Sequence, residues 1–342
     1  LKLAGLERLR LAGSAVALPD TADLSNGDVF KRLLGVDHAA RLAERGWDEE
    51  HPRVAWGVEH RRWCAPGTSG ASEELAERAA RGAMEDAGVS AGSVDLFVTA
   101  TSTPGRVTSS MASAVAKRLG LEAACVDLRA GGTGGLQAWI TAASLLACGA
   151  QRALVVAAET PSRYLDPEDL SSALLYGDGA GALLIERVEG ESCGLVGALV
   201  GARGAQGRPF TVPGELPPRA ADVEAGAFRF QVPDADYLRE LADAWRATCT
   251  DLRASFPEEL AQARHFLPYA VTRAQLEQAA EVAGKDAAHA GASLAAHGCT
   301  GAAGPLIALH ELRAAGELAA GDILASSAVA GGLSCCSLLW RV

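Results

Sequence analysis

Residues 127–139 read DLRAGGTGGLQAW: an apolar run ends at Asp127, glycines crowd positions 131–135, and an amphipathic helix follows. A junction of this kind presents a nucleophile or an anion cradle at a helix N-terminus, where backbone N–H groups point outward unpaired. Its two working positions hold Gly132 and Thr133. Glycine brings no side chain, and a threonine hydroxyl attacks a carbonyl only with a base beside it. Thr133 equally reads as the N-cap of the helix. A nucleotide loop fits poorly, because the Gly-Lys-Ser/Thr ending is missing. A second glycine-bearing helix start, GCTGAA at 298–303, carries Cys299. That thiol reads either as a displaced nucleophile or as an inert side chain in apolar surroundings. His297 and His265 each read as a stand-in base or as a structural imidazole. With Cys299 they match no zinc spacing, so no metal site is expected.

Strands and helices must hold these junctions in place. ASEELAERAARGAMEDA (71–87) has helical periodicity and stops at Gly88, and residues 109–119 form a second helix. Apolar runs at 94–101, 123–128 and 152–159 read as buried strands. The second half repeats the order. GCTGAAGPLIALHELRAAG then GDILASSAVAGG parallels GGTGGLQAWITAASLLACG then QRALVVAAE. Each half also closes on a glycine turn, an apolar strand and an arginine: GDGAGALLIERV (177–188) and AGGLSCCSLLWRV (330–342). A duplicated α/β fold follows, with halves at 1–188 and 189–342, two sheets, and helices packed between them. Asp178 in the first of these glycine turns reads as structural. Residues 201–245 break the pattern with a Gly- and Pro-rich stretch, expected to be an irregular insertion serving as lid, pocket wall or surface loop.

Composition limits the function classes. The 342 residues are 49% hydrophobic, enough for a large core, and the net charge of -11 excludes a general nucleic-acid or bilayer binder while leaving room for a local basic patch. Eight cysteines lie mostly in apolar runs without a CxxC pair, which favours reduced thiols and a cytoplasmic protein. The N-terminal LKLAGLERLRLAG has no long apolar core, so no signal peptide is expected, and no run is long enough to span a membrane.

GVEHRRWCAP (57–66), GDGAGALL (177–184) and the terminal AGGLSCCSLLWR, set in a duplicated α/β pattern, resemble β-ketoacyl-acyl carrier protein synthase III of the thiolase superfamily. The resemblance covers nearly the whole chain and is weakest over 1–50 and 201–245. It implies an α/β fold of the duplicated thiolase-like kind, five αβαβα layers, and a homodimer formed along the central strands. It also implies a buried tunnel for an acyl thioester, with a Cys-His-Asn triad at its end. By that resemblance the nucleophile's position is Gly132, the His position in FLPYAVTR is Tyr269, and the Asn position in GCTGAA is Cys299. Backbone donors of the oxyanion hole fall at Gly132 and Gly331. Arg163 aligns with an arginine that contacts coenzyme A, and Arg273 fits a basic dock for acyl carrier protein.

With these residues, ordinary condensation has neither nucleophile nor imidazole. Tyrosine, with a reference pKa of about 10, is a poor base near neutrality but can donate a hydrogen bond. Backbone donors survive side-chain changes; one is worth roughly 3–4 kcal/mol and alignment of reactants roughly 7–11 kcal/mol. The expected function is therefore a non-condensing acyltransferase of secondary metabolism. It would move an acyl group from coenzyme A or acyl-phosphopantetheine to a small acceptor, with no permanently bound cofactor, and Gly132 leaves room for substrate. The competing reading is a catalytically silent subunit in a heterodimer with an active ketosynthase. An open path to Gly132 would favour the enzyme.

Overall fold

The apolar runs pair into two sheets of one plan. The computed structural model describes residues 1–3, 5–166, 169–190, 192–203, 212–231 and 235–342. The first sheet runs Leu9–Ala17, Gly179–Arg187, Arg152–Glu159, Leu96–Ala100 and Ala124–Leu128, paired antiparallel, antiparallel, parallel and parallel. The second runs Lys2–Leu3, Gly194–Ala202, Ser334–Arg341, Ile323–Ala330 and Ala263–Phe266. From Gly194–Ala202 onward its pairings are again antiparallel, antiparallel and parallel. The strands Lys2–Leu3 and Leu6–Glu7 both pair with Gly194–Ala202, so the first residues of the chain join the second sheet across the division at 188/189.

Helices fill the layers between and outside the sheets. Ala71–Ala87 covers the outer face of the first sheet with small residues, Ala76, Ala79, Ala80 and Ala83, all fully buried. Gly13 beneath it has no room for a Cβ, which would collide with the Ala83 carbonyl, so the helix rides directly on the strand. Gly134–Ala147 and Gly304–Ala314 lie between the sheets, the former touching strands of both. Ala235–Ser255 and Arg273–Ala283 pack outside the second sheet or on each other. The order is αβαβα. Among the described residues no helix is long and apolar enough to cross a membrane.

The expected irregular insertion at 201–245 is corrected at both ends. Gly201 and Ala202 still belong to a strand, and from Ala235 the chain is helical. Tyr237, Ala244, Trp245, Thr248, Cys249 and Leu252 form the buried stripe of that helix, at helical spacing. Glycine and proline just upstream obscure its start in the sequence. Residues 204–211 and 232–234 lie outside the described residues.

Candidate active site

Two glycine-rich helix starts meet at the centre of the molecule. Gly131 (φ 57) opens the turn Gly131–Thr133 before the helix Gly134–Ala147, and Gly301 (φ 55) opens Gly301–Ala303 before Gly304–Ala314. A Cβ on Gly135 would strike the Ala302 carbonyl. The repeated glycines therefore serve close approach of the two turns as well as positive φ.

Tyr269 closes the first turn. It follows the strand Ala263–Phe266, and its backbone N–H donates to Ser327 O at 2.8 Å, which fixes the side chain over the turn. A Cβ built on Gly132 would overlap the Tyr269 ring and come within 2.7 Å of its hydroxyl oxygen. The space expected for substrate beside Gly132 is thus corrected: an aromatic ring stands in it. The same hydroxyl lies 3.4 Å from Cys299 Sγ, so the structure brings Gly132, Tyr269 and Cys299 together. Burial pushes the Cys299 thiol up to about 11 and lifts Tyr269 well above the usual phenol range. Both hold their protons near neutrality, and the pair contains neither thiolate nor base.

Thr133 faces elsewhere. It is fully buried and makes no side-chain cap, which corrects the N-cap reading. Its hydroxyl donates to Ala130 O at 2.6 Å, accepts from Gln137 Nε2 at 2.9 Å and lies 3.0 Å from Ser334 Oγ. It ties the turn to the terminal strand. The histidines are likewise occupied: His297 Nε2 meets Glu311 at 2.6 Å, and His265 Nε2 meets Glu317 O at 3.1 Å. Asp178 accepts from the Cys64 N–H, the Ser162 N–H and the Ser162 hydroxyl, holding its turn against two other segments.

Beside Tyr269 opens a cavity of about 970 Å³. Gly131, Gly132, Ala330 and Gly331 share its wall with Tyr269 and Glu159. Gly132 and Gly331 stand in short turns, where helix geometry leaves N–H groups without intrahelical acceptors. Arg106, Arg129 and Arg163 also line it, each exposed to solvent, giving a basic rim on a chain of net charge -11. Arg163 Nη1 donates to Thr68 O at 2.7 Å, which braces it there. Arg273 is exposed too, but it packs against Gly57 and is absent from the cavity wall.

Glu159 escaped the sequence reading. It ends the buried strand Arg152–Glu159, only 2% exposed, and burial pushes its carboxyl up to about 7 against opposing hydrogen bonds from Thr103, Ser102 and Ala302. Ser102 N–H reaches Oε1 at 2.9 Å and the Thr103 hydroxyl reaches Oε2 at 2.6 Å. The signal was a lone carboxylate closing an apolar strand, at the carboxyl end of the parallel pair where α/β folds place ligands. Tyr164, Tyr176 and Tyr237, which line the same cavity, were missed as well.

Comparison with known proteins agrees with this architecture. Residues 126–204 match the family profile of 3-oxoacyl-[acyl-carrier-protein (ACP)] synthase III, and 259–342 match that of its C-terminal part. A β-ketoacyl-[acyl-carrier-protein] synthase III of Synechococcus sp. (strain RCC307) is 32% identical over 342 residues, covering 98% of each chain. The crystal structure of 3-oxoacyl-(acyl carrier protein) synthase III from Pseudomonas aeruginosa PAO1 superposes with a TM-score of 0.82 at 26% identity, covering 98% of each chain. The priming β-ketosynthase of the R1128 polyketide biosynthetic pathway shares the fold, with a TM-score of 0.80 at 22% identity over 100% of this chain and 98% of its own. The duplicated αβαβα chain with its paired glycine turns belongs to the β-ketoacyl-[acyl-carrier-protein] synthase III family.

Proposed function

We propose that this protein is an atypical ketosynthase III-like acyltransferase, moving an acyl group directly from a coenzyme A or carrier-protein thioester to a small acceptor in secondary metabolism. One observation carries the reading. The Tyr269 ring occupies the space of a nucleophile's first carbon, while a cavity of about 970 Å³ still reaches the adjacent turn. Covalent acylation has no place there, but a bound thioester does.

Each group then has a task. The Gly132 and Gly331 N–H groups donate to the thioester carbonyl as its oxygen gains charge, the role that makes such donors worth several kcal/mol. Arg163 at the rim holds the thioester's phosphates, and exposed Arg273 belongs to a carrier-protein dock away from the cavity. Tyr269 donates a hydrogen bond at most. Glu159, titrating near neutrality in the cavity wall, is suited to take the proton that the acceptor loses. Cys299, behind Tyr269, stays a thiol.

Native mass spectra with a panel of acyl-coenzyme A thioesters test this. The expected result is an intact non-covalent complex with no acyl mass added to the chain. A covalent acyl increment defeats the reading. The second reading, a catalytically silent subunit paired with an active ketosynthase, draws on the same protonated Tyr269–Cys299 pair. It gains if no thioester binds the isolated chain.

A further inference from the structure

The chain has four tyrosines, and all four line the cavity of about 970 Å³: Tyr164, Tyr176, Tyr237 and Tyr269. Aromatic residues are only 5% of the sequence, so their convergence on a single wall is a property of the site and not of composition. Phe230 joins them, with Tyr176 stacked on it at 4.9 Å between centroids and an interplanar angle of 15°. Tyr164 leans on Phe230 at 6.2 Å and 58°. Trp56 and Phe228 extend the aromatic lining.

Two hydroxyls on this wall are unspent. Among the described residues neither the Tyr164 nor the Tyr176 hydroxyl makes a hydrogen bond, and Tyr176 is only 8% exposed. Both tyrosines line the cavity, so hydroxyls without a protein partner are free to hydrogen-bond to what the cavity holds. An aliphatic acyl chain offers such a group nothing. A ring with its own hydroxyl or amine offers both a flat face for stacking and a polar edge for the phenols.

We infer that the acceptor bound beside the thioester is a planar aromatic molecule bearing a phenolic hydroxyl or an aryl amine, seated on the wall of Tyr164, Tyr176 and Phe230; this rests on the acyl-transfer reading above. In the transfer, the acceptor's oxygen or nitrogen attacks the thioester carbonyl carbon. The new C–O or C–N bond forms, the C–S bond breaks, and the proton lost by the acceptor ends on the departing thiol. An aryl ester or amide leaves with no change of oxidation state, so no redox partner is involved.

Calorimetric titration of the full chain with 2-naphthol and with its saturated counterpart, decahydro-2-naphthol, separates stacking from mere hydrophobicity. The expected result is an affinity at least about tenfold higher for 2-naphthol, the scale of two aromatic contacts. Tyr176→Phe, which keeps the ring, should weaken 2-naphthol severalfold. Equal affinity for the two alcohols, or no binding of 2-naphthol, overturns the proposal. The acyl-coenzyme A mass spectra are independent of it. Naphthol binding without thioester binding sinks only the transfer reading, and thioester binding without naphthol binding sinks only the aromatic acceptor.

Discussion

An alanine methyl at position 132 would share space with the Tyr269 ring, which touches Cys299 behind it and must shift to make room. Overpacking of this kind costs about 1–3 kcal/mol. Gly132→Ala should therefore destabilise the protein by that amount in urea denaturation, and the cost should vanish in a Tyr269→Ala background. Equal costs in both backgrounds would mean that the two positions do not meet. Glu159 gives a second residue-scale expectation. Its folded pKa of about 7 lies above its ordinary 4.5. Below 4.5 the carboxyl is neutral in both states, and the full stability is present. As pH rises through 7 the unfolded chain ionises more readily than the folded one, so stability falls, by an amount on the order of 3 kcal/mol. Glu159→Gln should flatten melting temperature against pH between about 4.5 and 7.5. Parallel curves for the two proteins would show that the carboxyl is not held neutral. If Glu159 also takes the acceptor's proton, the transfer rate of the unmodified protein rises over the same interval, and the variant loses that rise.

At the scale of elements, the sequence showed helices and strands where periodicity was undisturbed. The helix Ala71–Ala87 matches its expected bounds, because its alanine stripe and terminal Gly88 are local signals. The helix Ala235–Ser255 hid behind glycine and proline, although its stripe from Tyr237 to Leu252 is regular. The site was half legible. Glycine runs mark the two helix starts, but that a ring from residue 269 fills the space at 132 is a contact between distant segments, and no local pattern encodes it. Glu159 was visible only as a charge at a strand's end. Asp178 was read as structural, and the structure shows how: its carboxylate takes three donors from Cys64 and Ser162, 2.6–2.9 Å away. Asp178→Ala leaves those donors unpaired, and hydrogen bonds to a charged group are worth about 1.5–3 kcal/mol each. A loss of about 3 kcal/mol or more is expected in urea denaturation. Because Ser162 adjoins Arg163 at the cavity rim, acyl-coenzyme A binding should weaken as well. A variant within about 0.5 kcal/mol of the parent would remove Asp178 from the turn's support.

For the whole molecule, the open question is what covers the edge of the first sheet. Among the described residues Ala124–Leu128 pairs with Leu96–Ala100 on one side only, and it ends the sheet. Its Cys125, Val126 and Leu128 are half-buried and only Asp127 carries a charge, so the strand has few of the devices that guard a free edge. The same strand leads into Gly131–Thr133, so whatever pairs with it also steadies the turn beside Tyr269. A second copy of the chain, paired edge to edge, would satisfy both demands, and a stable interface of this sort needs somewhat over about 1,000 Å². The native mass spectrum of the purified chain should show a species at twice 35.1 kDa. Val126→Glu places one charge on each of two facing edges and should split that species while each copy keeps its fold by circular dichroism. A dimer untouched by Val126→Glu would place the interface on another face. A chain that stays monomeric from the outset, yet pairs when an active ketosynthase is supplied, would transfer the same edge to a heterodimer. The aromatic cavity would then have to be explained as part of that partner's tunnel.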